Sequence, residues 1–177
     1  MSDGFLGCPD ARAWWSTVRA ASQDLARMER AVGRMRAREG LRGAPVSGTG
    51  HASGPRDANR ATDARMDYEA ACAPAVDSAL ALLRTADRLL WGDAGGGVAE
   101  LLGATAASVV RLRHVDALPW SEVARSLSLS PSTCRQMEGA AMDLMDAMGP
   151  GRVLDGNGCA TEPMPLGRDR RRDAAPR

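Results

Sequence analysis

The side chains best suited to specific chemistry lie close together in one short segment of the chain. Arg135 can offer two donors to O6 and N7 of guanine, and Gln136 can pair a donor and an acceptor with N6 and N7 of adenine. Hydroxyl groups and free backbone N–H groups at the start of the same segment suit a phosphate. The pattern therefore predicts contacts to double-stranded DNA. The predicted contact residues are Ser130, Ser132, Thr133, Arg135, Gln136 and Gly139.

A helix that begins at Pro131 would carry these side chains. Ser130 is a typical N-cap, and proline at the first helical position loses no hydrogen bond. Apolar residues then recur at helical spacing and place one stripe against a core, so the polar side chains point away from it. The stripe consists of Cys134, Met137, Ala141, Leu144 and Met148.

Two shorter helices precede this one, and together they predict a helix-turn-helix module over residues 100–148. The first ends near Asp116, and in the second Ala124 is small enough to let two helices cross closely. The predicted core of the module is Val109, Leu112, Val115, Trp120, Val123, Ala124, Leu127, Cys134 and Met137. The alternative is a plain helical hairpin whose polar face contacts only water.

Residues 111–145 resemble the C-terminal module of phage transcriptional regulators of the RinA and ArpU type; they read RLRHVDALPWSEVARSLSLSPSTCRQMEGAAMDLM. That module is itself similar to the region of bacterial sigma factors that reads the promoter −35 element. The matching positions are Arg111, Arg113, Trp120, Glu122, Val123, Ala124, Ser130, Arg135 and Gln136. The family usually has glycine where Ser128 stands and a serine N-cap where Pro119 stands.

The resemblance implies a function as well as a fold. It implies a sequence-specific transcriptional regulator, encoded by a phage or prophage, that acts on late or packaging genes. Its partners would be double-stranded DNA and RNA polymerase or a sigma factor. The family also places a long N-terminal helix, a Gly/Ser-rich break and a second long helix ahead of the module, and this chain has the same order.

The rest of the chain predicts two long helices separated by breaks. Residues 1–42 form the first, 43–61 a flexible Gly/Ser-rich linker, 62–91 the second and 92–99 a Gly-rich loop. Asp10 can cap the first helix, and Pro74 is expected to kink or restart the second. The predicted class is all-α, with a long antiparallel hairpin followed by the module.

A heptad-like seam of apolar residues runs along the first helix, and a partner helix is needed to bury it. It consists of Trp14, Val18, Ala21, Leu25, Met28, Val32 and Met35. On the second helix, the matching positions are Met66, Ala73, Val76, Leu80, Leu83 and Leu90, with Glu69 and Asp87 as interruptions. The seam is explained by the core of the hairpin or by a homo-oligomer through the N-terminal helices, and both hold if two hairpins meet.

Charge argues against tight DNA binding by the module alone. Residues 100–148 carry a formal charge of −2, whereas residues 1–43 carry +3 through a row of arginines. Phosphate neutralisation supplies most non-specific affinity, so another part of the chain, a second protomer or RNA polymerase must contribute. Residues 149–177 are expected to form a disordered tail, and its RDRRR run at 168–172 either lies along DNA or has no essential role.

No pattern in the sequence supports metal binding, catalysis or membrane insertion. The four cysteines are widely spaced, the two histidines lie far apart, and no paired carboxylates or nucleophile with a base are visible, so we expect neither a metal, a cofactor nor catalysis. No apolar run approaches membrane-spanning length, which predicts a cytoplasmic protein without membrane contact. The alternative function is a non-catalytic phage packaging or assembly protein, similar to a small terminase subunit.

Overall fold

The computed structural model describes residues 4–41, 55–92 and 96–156. These residues form α-helices and contain no β-strand, so the predicted all-α class is confirmed. A π-helical segment, Arg111–Val115, continues α4. The helices are α1 (Ala11–Leu41), α2 (Pro55–Trp91), α3 (Val98–Leu102), α4 (Ala104–Val110), α5 (Trp120–Leu127), α6 (Pro131–Met148) and α7 (Pro150–Asp155).

The two long helices α1 and α2 pack against each other in opposite directions. At one end of the pair, Arg65 Nε of α2 lies 3.0 Å from Glu39 Oε1 of α1. At the other end, Trp15 of α1 shares a core with Leu89 and Leu90 of α2. Because the C-terminal end of α1 meets the N-terminal end of α2, the pair is an antiparallel hairpin.

The boundaries of these helices differ in part from those predicted. Asp10 caps α1 as expected, since its Oδ1 accepts a hydrogen bond of 2.7 Å from the backbone N–H of Ala13. The predicted start of α2 at residue 62 was wrong, because the helix begins at Pro55, a residue type suited to a first helical position. Pro74 lies inside the continuous helix α2, so the helix does not restart there. The rest of the predicted linker, residues 43–54, lies outside the described residues, as does residue 42.

One large core joins the hairpin to the helices that follow it. Fully buried side chains from α1, α2, α3, α4, α6 and α7 meet in it: Trp15, Val18, Leu89, Leu90, Val98, Val110, Met142, Met145 and Val153. The sequence predicts residues 1–91 and residues 100–148 as separate units, whereas the packing unites them. The position of α6 is therefore set by contacts with α1 as well as by its nearer neighbours.

Helix α7 lies where the sequence predicted disorder. Val153 is fully buried, and its carbonyl accepts a 2.7 Å hydrogen bond from the N–H of Gly97. A Cβ on Gly97 would lie 2.5 Å from the backbone nitrogen of Gly92, so the chain at Gly97 is packed too closely for a side chain. The predicted start of the tail at 149 was wrong because Gly149 and Pro150 end one helix and begin another. Residues 157–177, including 168–172, lie outside the described residues.

A smaller core lies between α4, α5 and α6. It contains four buried side chains, Val109, Val123, Ala124 and Cys134. Leu112, Trp120, Leu127 and Met137 pack against it, as predicted, together with Leu118 and Leu129. Val115 packs instead against the large core. A π-helical segment has more residues per turn than an α-helix, so the α-helical spacing that places Val109 and Leu112 on one side does not extend to Val115.

Val153→Ala tests whether α7 belongs to the core. We expect the variant to lose about 2 kcal/mol of unfolding free energy, because two buried methyl groups are removed and a cavity remains. Urea denaturation followed by circular dichroism measures this loss. Arg152→Ala, on the exposed side of the same helix, is the control and should change the unfolding free energy little. Equal stability of the two variants would mean that α7 is not packed as described.

Candidate nucleic-acid interface

The turn between α5 and α6 contains a residue in the left-handed backbone conformation that is not glycine. Ser128 has φ 55° and ψ 38°, and the N–H of Leu129 donates to the carbonyl of Ala124 at 2.9 Å. A non-glycine residue in this conformation costs on the order of 1 kcal/mol. At the other end of α5, Pro119 is extended and provides no side-chain cap. The turn between α5 and α6 is thus short without a glycine, and α5 begins without a side-chain cap.

The start of α6 is capped as the sequence predicted. Ser130 Oγ accepts a hydrogen bond of 3.0 Å from the backbone N–H of Thr133. The same oxygen lies 2.8 Å from Ser132 Oγ and 2.8 Å from Thr133 Oγ1. Three hydroxyl groups therefore gather at the N-terminal end of the helix, where the macrodipole is positive and an anion is stabilised.

The predicted contact residues lie on the outer face of α6. Ser132, Arg135 and Gln136 are exposed, and Cys134 on the opposite face is fully buried. Burial raises the pKa of the Cys134 thiol, so this side chain stays neutral and apolar in character. Gly139 follows one turn later, and a Cβ added to it would meet no other atom within 4 Å.

Trp120 holds two arginines at the edge where α5 and α6 both begin. The guanidinium carbon of Arg113 lies 4.7 Å from the centroid of the indole ring, and that of Arg135 lies 5.6 Å from it. Both distances are within the range of a cation–π interaction. Nη1 of Arg113 also donates to the carbonyl of Leu118 at 2.9 Å. Trp120 was predicted only as a core residue, but it also limits the positions that Arg135 can occupy.

His114 forms a buried link that sequence reasoning missed. The ring is 5% exposed; its Nδ1 lies 3.0 Å from the carbonyl oxygen of Trp15, and its Nε2 lies 2.9 Å from Glu138 Oε1. The imidazole ring therefore links the backbone of α1 to the side chain of Glu138 on α6. Spacing along one helix does not reveal this pair, because its members are separated by 24 positions.

The charge on Glu138 is stabilised from several sides. The hydrogen bond from His114 lowers the pKa of the Glu138 carboxyl group, and the charges of His114, Arg12 and Arg113 lower it further. Burial opposes this shift. Arg12 Nη1 of α1 lies 3.8 Å from Glu138 Oε2. Glu138 is on the same helix as Arg135 and Gln136, so these contacts connect α6 to α1 and to the π-helical segment.

Two further contacts attach α1 to the segment just before α5. Nη1 of Arg19 donates to the carbonyl oxygens of Arg113 and, at 3.3 Å, of Leu118. The hydroxyl of Ser22 donates to the carbonyl of Val115. Partial burial and the neighbouring charge of Arg113 lower the pKa of Arg19. The C-terminal end of the π-helical segment, whose carbonyls would otherwise lack partners, is thereby fixed to the side of α1.

Comparisons with known proteins add no relative to these observations: no family model, curated protein or solved structure matches this chain. In the part of the chain that the structure describes, no three His, Cys, Asp or Glu side chains are grouped so that they could hold a metal ion. Among residues 4–41, 55–92 and 96–156, no helix combines the length and apolar character needed to cross a bilayer.

Glu138→Gln tests the link between α6 and His114. The pKa of Glu138 is lower in the folded protein than the ordinary carboxyl pKa of 4.5, so the ionised carboxylate stabilises the fold. This stabilisation is fully present above pH 4.5 and is lost as the pH falls through the folded-state pKa. We expect the variant to lose about 1–3 kcal/mol of unfolding free energy near neutral pH and to show a weaker decline in acid. Urea denaturation across that pH range measures both effects.

Asp143→Asn is the matched control, since Asp143 is an exposed acid on the same helix. This variant should keep the unfolding free energy of the original protein and the same decline of that free energy in acid. If Glu138→Gln behaved like Asp143→Asn, the contact between His114 and Glu138 would contribute nothing to folding.

Proposed function

We propose that this protein is a sequence-specific, double-stranded-DNA-binding transcriptional regulator. Helix α6 enters the major groove, where Arg135 and Gln136 read base edges, and the hydroxyl groups at its start hold a phosphate. The observation that carries the proposal is the outer face of α6. Ser132, Arg135 and Gln136 are exposed there, and within the described residues Arg135 has no carboxylate partner.

The contact between Arg135 and Trp120 supports a reading role. A long, exposed side chain loses rotamer freedom when it binds, and this loss lowers affinity. The indole ring 5.6 Å from the guanidinium already restricts Arg135 before DNA arrives. The guanidinium keeps its donors free, because a cation–π contact uses none of them. A side chain held in this way suits bidentate contact with guanine.

Gly139 supports the proposed DNA-contact surface of α6, because a glycine at this position lowers the stability of the helix. Glycine within a helix is about 1 kcal/mol less favourable than alanine. No neighbouring group in the protein requires its absence of a side chain, because the space around the missing Cβ is open. Close approach of a partner at this point of α6 explains the residue, and the wall of a DNA groove is such a partner.

Gly139→Ala should therefore affect folding and binding in opposite directions. We expect the melting temperature to rise by about 2–4 °C, because alanine favours the helix by about 1 kcal/mol. We expect affinity for a specific duplex to fall several-fold, because the added methyl group meets the DNA. Thermal melting and fluorescence anisotropy measure the two quantities.

Gly33→Ala is the control for this variant. Gly33 lies in α1, and a Cβ there also meets nothing within 4 Å. It should stabilise the protein and leave DNA affinity unchanged. An unchanged affinity in Gly139→Ala would place Gly139 outside the interface.

The partners follow from the same proposal. By its resemblance to the RinA and ArpU type, the regulator is encoded by a phage or prophage, works in the cytoplasm on late or packaging genes, and contacts RNA polymerase or its sigma factor. Six acidic side chains against four arginines in residues 100–148 give the module too little positive charge for tight binding on its own. Additional affinity from a protein partner or a second protomer therefore belongs to the proposal.

A packaging or assembly protein is the second candidate, and the surface of α2 favours it. Met66 is 57% exposed and Leu80 is 39% exposed. Leu80 also lines a groove of about 560 Å³ between α1 and α2, together with Leu25, Val32 and Val76. Large exposed apolar residues beside a groove are typical of self-association surfaces. Analytical ultracentrifugation distinguishes the candidates: a ring-sized assembly favours the assembly protein, and a monomer or dimer favours the regulator.

Selection from random duplex DNA at low salt tests base reading directly. We expect the intact protein to enrich a motif and the Arg135→Ala/Gln136→Ala variant to lose it, since each bidentate base contact is worth about 1–3 kcal/mol of discrimination. Arg84→Ala, which removes an exposed arginine of α2, should enrich the same motif as the intact protein. Enrichment of one motif by all three proteins would rule out α6 as the reading helix.

A further inference from the structure

The arginines of α1 are placed beside the segment that leads into α5. Contacts of Arg19 and Ser22 fix α1 against residues 113–118. Further along the same helix, Arg27 and Arg30 line a groove of about 440 Å³. The opposite wall of this groove is formed by Asp116 and Ala117, directly before α5. Two arginine side chains of α1 thus lie beside the loop that leads into α5.

Arg27 and Arg30 are available for a ligand. Both are exposed, and within the described residues Arg30 forms no ion pair. Arg27 pairs with Asp24 on the same helix, but its side chain is 69% exposed. An exposed ion pair within one helix is worth little, so exchange of Asp24 for a phosphate costs little. Asp116, the acid on the opposite wall, already lies 3.9 Å from Arg111.

The position of the groove relative to α6 identifies the ligand. In three-helix DNA-binding folds such as the homeodomain, the third helix reads the major groove and the loop between the first two helices contacts the sugar-phosphate backbone. The equivalent loop here is residues 116–119, which adjoin Arg27 and Arg30. We infer that Arg27 and Arg30 contact phosphates of the duplex that α6 reads. This inference rests on the proposed function and supplies positive charge that residues 100–148 lack.

The role assigned to these arginines differs from that of Arg135. A phosphate contact adds affinity for every sequence and carries no base preference. It also releases a counterion, so the logarithm of the binding constant falls with the logarithm of salt concentration by about 0.9 per phosphate neutralised. Loss of both arginines should therefore lower this slope by about two and leave the preferred motif unchanged.

The test is a salt titration of the full chain with the duplex selected by the intact protein. Fluorescence anisotropy between roughly 50 and 200 mM salt gives the slope for the intact protein, Arg30→Gln and Arg27→Gln/Arg30→Gln. We expect a decrease of about one in the single variant and about two in the double variant. Arg84→Gln, which removes the same charge from α2, is the control and should retain the slope of the intact protein. Circular dichroism confirms that all variants are folded.

Three outcomes would overturn the inference, and they are distinct. If the double variant keeps the slope of the intact protein while motif recognition persists, α1 does not touch the duplex and the proposed function stands. If the intact protein binds no duplex at any salt concentration, both the inference and the proposed function fail. A slope lowered equally in the double variant and in Arg84→Gln would indicate a general effect of net charge and would also reject the contact.

Discussion

The burial of Trp15 is the interaction on which the rest of the structure depends. Its indole is fully buried, and its Nε1–H donates to Sδ of Met145 at 3.2 Å. Its backbone carbonyl lies 3.0 Å from Nδ1 of His114, and the two rings are tilted against each other with centroids 5.7 Å apart. One residue of α1 therefore contacts both α6 and the π-helical segment. Without it, the large core would lose a side chain that joins α1 to both of these elements.

The two ends of α6 have different roles in this arrangement. The C-terminal part of the helix contributes Met142 and Met145 to the large core and is held by side chains of α1. The N-terminal part packs through Cys134 against α4 and α5 and leaves Arg135 and Gln136 in solvent. A polar surface contributes little to folding, so the proposed reading face is supported by apolar contacts elsewhere on the same helix. Its orientation is set by the whole molecule.

The sequence predicted features whose causes lie within a few residues of one another. The Ser130 cap and the buried positions Val123, Ala124 and Cys134 follow from capping chemistry and helical spacing, and the structure agrees with them. Helix α7 was missed because glycine and proline dominate its local composition, whereas its stability comes from Val153 packed against distant helices. The pair formed by His114 and Glu138 was missed for the same reason. Spacing along one helix does not reveal contacts between helices.

The contact between Trp15 and Met145 also sets the order of events during synthesis. Its two residues are 130 positions apart, and Ala11 and Asp146, which share a hydrogen bond, are 135 positions apart. A ribosome adds about 5–20 residues per second, so Trp15 emerges on the order of ten seconds before its partner exists. During this interval the tryptophans of α1 have no completed core, and a chaperone has time to bind them. The core around the first helix is thus completed only after α6 has been made.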